Sequence, residues 1–113
     1  MSELSNMAQK YEHSLAQVRQ RFCASLDSQV EKLDALMWHI EENPLNAQAI
    51  EIATNMVHKL AGVAPTFGLN SVGQHATAAE VALMRLEKQP TSQNLKLVSD
   101  AVEQLTVQLD KHL

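Results

Sequence analysis

The chain has 113 residues, enough for one domain with a real core and too few for a catalytic domain plus a cofactor domain. Its formal charge of −4, with nine Lys and Arg spread along the sequence, leaves no basic stripe able to follow a phosphate backbone and argues against nucleic acid as a partner. Hydrophobic residues make up 45% of the chain but aromatics only 4%, so the core must come from Leu, Val, Ile, Met and Ala, a mix that favours helices.

No segment alternates with the period of two that marks an amphipathic strand, and helices are expected throughout. Leu4, Met7, Tyr11, Leu15, Val18 and Phe22 recur at steps of three and four and mark one face of an N-terminal helical extension over about residues 1–23. Leu26, Val30, Leu33, Met37 and Ile40 continue the pattern into a bundle running from about 25 to 113. Ser28 and Glu31 have capping-box spacing, yet no Gly or Pro forces a break, so one long helix and two shorter ones both fit. Glu42-Asn43-Pro44-Leu45-Asn46 ends this stretch, since the residue before a proline avoids the helical region and Asn46 is a good helix cap.

A new helix starts near Ala47. Along it Ile50, Ala53, Val57, Leu60, Ala64 and Phe67 form a narrow apolar seam, and Gly68 suits its C-terminal cap. After Asn70-Ser71, a further helix puts Val72, Ala76, Ala79, Leu83 and Leu86 on the same spacing and stops before Pro90. Ser92 can then cap a last helix, with Leu95, Val98, Val102, Leu105 and Leu109 inside, that runs to the C-terminus. Short connections favour up-and-down neighbours, so the expected fold is an all-α antiparallel four-helix bundle with an additional or extended N-terminal helix.

Several residues read as structural. Cys23 has no second thiol for a disulfide or zinc site, which points to a reduced compartment and a packed, inert side chain. Met1-Ser2-Glu3-Leu4-Ser5-Asn6 lacks the positive charge of a signal peptide, and no apolar run reaches the length of a membrane span, so a cytoplasmic location is expected. His13, His39, His75 and His112 are too far apart for a helical ligand pair, and no metal site is expected. Trp38 is assigned to the core because aromatics carry much of a core's area, and Met56 and Met84 are read as gap fillers.

His58 stands apart. At about 100° per residue it points roughly 130° away from the seam of its helix, toward solvent. Gly62 lies directly above it, Pro65 one turn further and Ala61 beside them, so the imidazole stands on a nearly bare strip. Gly and Pro inside a helix cost about 1 and 3 kcal/mol relative to Ala. A bare strip lets another protein's surface approach the backbone closely. The same residues also read as an ordinary surface histidine beside a kink, and geometry alone leaves both open.

The run His58-Lys59-Leu60-Ala61-Gly62-Val63-Ala64-Pro65-Thr66-Phe67-Gly68-Leu69 resembles the signature of histidine-containing phosphotransfer (HPt) domains, in which the acceptor histidine is followed by glycine four and ten residues later. Val72 and Ala79-Glu80 continue the similarity downstream. The resemblance implies a four-helix bundle, often with an extra N-terminal helix, whose acceptor histidine projects from the middle of one helix. It implies that His58 is the phosphoacceptor and that Lys59, Ala61, Gly62 and Pro65 lie on the surface where a receiver domain docks. Glu80 is similar to the carboxylate that hydrogen-bonds the imidazole in the chemotaxis-kinase branch, leaving Nε2 as nucleophile. Many members carry Lys three residues after the histidine where this chain has Ala61, a departure that bears on phosphoryl stabilisation and partner choice. Lys59 is the nearest replacement cation, leaving the helix roughly 100° round from His58.

The resemblance further implies a phosphorelay carrier in two-component signalling, between response-regulator receivers or a sensor histidine kinase, without intrinsic kinase activity. No cofactor is expected on this chain, because the receiver supplies both the aspartate and Mg²⁺. The alternatives are a helical binding or oligomerisation bundle with a vestigial histidine, and a phosphoacceptor domain excised from a hybrid or chemotaxis-type kinase. Met1 at the start favours the free-standing form. A monomer is expected, with the N-terminal helix as the face through which a dimer can form.

Overall fold

A computed structural model describes residues 2–113; Met1, on which the free-standing reading leans, lies outside the described residues. Five α-helices follow one another: α1 (Ser2–Ala24), α2 (Leu26–Glu42), α3 (Ala47–Val63), α4 (Asn70–Lys88) and α5 (Ser92–Asp110). A 3-10 turn at Ala64–Phe67 joins α3 to α4. Contacts run from α2 to α3, α3 to α4, α4 to α5 and α5 back to α2. The short connections therefore close α2 to α5 into an antiparallel up-and-down four-helix bundle.

The open question between Phe22 and Ser28 resolves as two helices, and the break falls at Ser25 rather than at Ser28. The Ser25 hydroxyl donates to the Phe22 carbonyl at 2.6 Å and accepts from the Gln29 amide at 2.9 Å. A short side chain thus bonds back to the preceding turn and competes with the helix ladder. Ser28 lies inside α2. At the start of α3 the Asn46 carboxamide oxygen accepts from the Ala49 N–H at 3.1 Å, as its cap role requires. Thr91, not Ser92, caps α5, accepting from the Asn94 N–H at 3.1 Å; Ser92 is the first helical residue.

The core is aliphatic. Leu26, Leu33, Ile40, Val57, Leu60, Val72, Leu83, Leu86, Val98, Leu105 and Leu109 are its largest fully buried side chains, each contributing about 1.5–3 kcal/mol relative to exposure. Trp38 is not among them: it is 60% exposed, its ring standing edge-on to that of His39, 5.0 Å away. Met56 does pack against the core, whereas Met84 is half exposed on α4. Cys23 is half-buried.

The seam expected to run as one helix to Phe67 tightens instead into the 3-10 turn after Val63. Pro65 has no N–H to continue the α-helical ladder, and Gly68 then takes a left-handed conformation (φ 78°) that ends the turn. Its N–H and that of Leu69 donate to the Pro65 and Ala64 carbonyls at 3.0 Å. Pro65 leans on α4: a β-carbon added to the buried Gly73 would lie 2.8 Å from Pro65 Cγ and 3.1 Å from Cδ. Gly73 is therefore what allows the turn to sit down on α4 and fixes the end of the histidine-bearing helix.

The molecule measures 62 × 22 × 22 Å. Helices of 17–19 residues are about 25–29 Å long at 1.5 Å per residue, so α1 accounts for the remaining length by projecting past the end of the bundle. Its foot is tied down by Phe22, whose ring lies 5.4 Å from that of Phe67.

Candidate functional site

His58 sits in the middle of α3, on the side opposite the seam of Ile50, Ala53, Val57 and Leu60, because one step from Val57 turns it out of the core. Its side chain is 72% exposed. Glu80 projects from the facing turn of α4, where Ala79 and Leu83 are buried and hold the register. The carboxylate Oε2 lies 2.6 Å from His58 Nδ1, and Glu80 is only 21% exposed. An ionised carboxylate can only accept, so in the neutral imidazole the proton belongs on Nδ1 and the lone pair on Nε2. Nε2 has no protein partner among the described residues.

The pair stands in a groove between α3 and α4 lined by Glu51, Thr54, Asn55, Met84 and Glu87. Met84 was read from the sequence only as a gap filler and the other four were not singled out, although Glu51, Thr54 and Asn55 stand seven, four and three residues before His58 and so share its face. The Thr54 hydroxyl donates to the Ile50 carbonyl at 2.7 Å, which removes it as a donor to the groove. Three carboxylates and no Lys or Arg line this groove among the described residues, so little here neutralises a bound phosphoryl group.

Of the residues implied as a docking surface, Gly62 and Pro65 are exposed on the strip beyond His58. A β-carbon at Gly62 would meet nothing within 4 Å, and its φ is not positive, so neither packing nor backbone geometry requires glycine there. Ala61 is half-buried and turns toward α4, lining with Pro65, Asn70 and Gly73 a second recess between the two helices. Lys59 is exposed but does not line the His58 groove.

With this geometry in place, a comparison with protein families finds the Hpt domain over residues 17–109, most of the chain. The chain belongs to the Hpt domain family. No curated protein matches it. As an Hpt domain the chain is a histidine-containing phosphotransfer module of two-component signalling, a carrier class rather than a kinase class, whose members interact with receiver domains and kinases. No helix among the described residues is long and apolar enough to cross a membrane. The Hpt match omits residues 1–16, so most of α1 lies outside it.

Proposed function

We propose that this Hpt domain is a phosphorelay carrier that accepts a phosphoryl group on His58 Nε2 from the aspartyl phosphate of one receiver domain and passes it to the aspartate of another. The observation that carries the reading is the imidazole itself: 72% exposed, held at Nδ1 by Glu80 and open at Nε2, beside a glycine that the fold does not need. The neutral imidazole is a competent nucleophile near pH 7. Its Nε2 lone pair forms the N–P bond as the acyl-phosphate O–P bond breaks, and the aspartate leaves as a carboxylate. The Nδ1 proton stays in its hydrogen bond to Glu80, which offsets the positive charge that develops on the ring. Reversal onto a second aspartate frees the histidine.

Such a transfer needs in-line positioning and charge neutralisation. The acidic groove offers little of the latter, which fits a receiver that brings its own Mg²⁺ to a carrier with no cofactor. Gly62 and Pro65 supply the open approach, with Ala61 at its edge and Lys59 on its flank. A cytoplasmic location follows from this reading, since the donors are phosphorylated there. Mixing the chain with a receiver bearing a labelled aspartyl phosphate is expected to move the label to His58, as located by peptide mass mapping, whereas ATP alone leaves the chain unlabelled. Label that stays on the receiver, or stable labelling of His58 by ATP alone, overturns the proposal.

Glu80 is assigned an orienting role within this mechanism. Glu80→Ala is expected to slow phosphorylation roughly tenfold, by analogy with the loss of a partner that fixes a histidine's tautomer and ring orientation. Imidazole ¹⁵N spectra of the variant should lose the preference for the Nδ1–H tautomer. An unchanged rate together with an unchanged tautomer ratio would remove Glu80 from the mechanism.

A further inference from the structure

Among the described residues the apolar stripe of α1 is largely exposed. Leu4, Met7, Tyr11, Leu15 and Val18 are 80, 67, 69, 39 and 49% exposed, and all five lie on one face. Their spacing repeats after eleven residues: Leu4, Met7 and Tyr11 are followed at that interval by Leu15, Val18 and Phe22. An eleven-residue repeat stays almost in phase with a 3.6-residue helix, so the stripe runs nearly straight along α1. A helix of this length gains most of its stability from packing such a face, and here water faces it.

We infer that this stripe is the contact with a second copy of the chain, the two α1 helices packing antiparallel about a two-fold axis midway between Tyr11 and Leu15. A two-fold contact must be self-complementary, with each residue meeting its counterpart across the axis. The stripe satisfies this. Tyr11 of one copy lies level with Leu15 of the other, Leu4 lies level with Phe22, and Met7 arrives beside Val18 and Arg19. At that end of the stripe a groove lined by Glu12, Leu15, Ala16, Arg19, Thr66 and Phe67 opens beside it, and its apolar floor of Leu15, Ala16 and Phe67 can take the incoming Met7 and Leu4.

Charge selects the antiparallel arrangement. Glu3 and Arg21 are eighteen residues apart, about five whole turns, and so share one flank of the helix. Antiparallel pairing brings Glu3 of each copy to the Arg21 of the other. Parallel pairing would instead gather Arg19 and Arg21 of both copies at one end and both Glu3 residues at the other. The area also suffices. The five exposures leave the equivalent of about three whole large side chains in water per copy. At roughly 150–200 Å² each, two stripes hide on the order of 1,000 Å² before the flanks are counted. With the flanks the contact reaches the about 1,200 Å² at which specific interfaces begin. His58, on α3 of the bundle, takes no part in it, and the dimer stands or falls independently of phosphotransfer.

Sedimentation of the full chain over about 5–200 µM tests this. The expected result is a concentration-dependent species of twice the 12.5 kDa chain mass. Tyr11→Glu should weaken dimerisation at least about 100-fold, because it places a carboxylate beside the axis, in contact with its own copy and with Leu15. At concentrations where the parent is monomeric, thermal unfolding of the bundle should be unchanged, since Tyr11 is 69% exposed and lies outside the core. Glu3→Arg and Arg21→Glu should each weaken the dimer several-fold, and the double exchange should restore it. A monomer at every concentration overturns the inference, as does a dimer that tolerates Tyr11→Glu. A double exchange weaker than either single one overturns the antiparallel arrangement.

Discussion

His58→Gln is expected to abolish phosphoryl transfer while leaving the bundle as stable as before. Glutamine keeps a polar side chain of similar reach but has no lone pair on nitrogen able to form the N–P bond, so transfer should fall by at least about 10³-fold. The fold has little stake in the imidazole. It is 72% exposed, and its one polar contact among the described residues, to Glu80, is of the solvent-screened kind that stabilises a protein little. Thermal unfolding should shift by no more than about 0.5 kcal/mol, the usual range for surface changes. The measurement pairs label transfer from a phosphorylated receiver with a melting curve. Transfer that persists in the variant would move the acceptor elsewhere; transfer lost together with the fold would make His58 structural.

The glycines at 62 and 73 should answer to substitution in opposite ways. At Gly62 the fold leaves open space and a backbone that any residue adopts, so Gly62→Gln should hold or raise stability by up to about 1 kcal/mol through helix propensity alone. Transfer from a receiver should nevertheless drop about 100-fold, because a side chain on the strip above His58 holds the partner's aspartate away from Nε2, and small misplacements carry costs of that order. At Gly73 even one added carbon lands 2.8 Å from a proline ring, and Gly73→Val should destabilise the bundle by about 2 kcal/mol, a fall in Tm on the order of 10 °C. Full transfer by the Gly62 variant, or a Gly73 variant as stable as the parent, would show that the two positions have been assigned the wrong way round.

Features set by local spacing were legible in the sequence. The inner faces of α3, α4 and α5, the Asn46 cap and the left-handed Gly68 all follow from residues within a few positions of one another. His58 facing water was legible for the same reason, and the Glu80 carboxylate lies within hydrogen-bond distance of it, the contact that the resemblance implied. Trp38 was misplaced because its size was weighed above its angle: Leu33, Met37 and Ile40 hold the inner face of α2, and the step from Met37 to Trp38 turns the indole away from it. Met84 fails likewise, one step round from buried Leu83. The helix breaks at Ser25 and Thr91 depend on which of two neighbouring hydroxyl residues finds a backbone partner, a choice that composition does not make. Gly73 was beyond reach, because its need arises from a proline ring on another element.

The aliphatic interior has one more consequence. Among the described residues no polar or charged side chain is buried, so no ionisable group inside the bundle can register what happens at its surface. Adding negative charge to an imidazole out in the solvent leaves the packing beneath it with nothing to answer. Under the phosphotransfer role proposed for His58, the message is stored as the energy of a single bond and not as a change of shape.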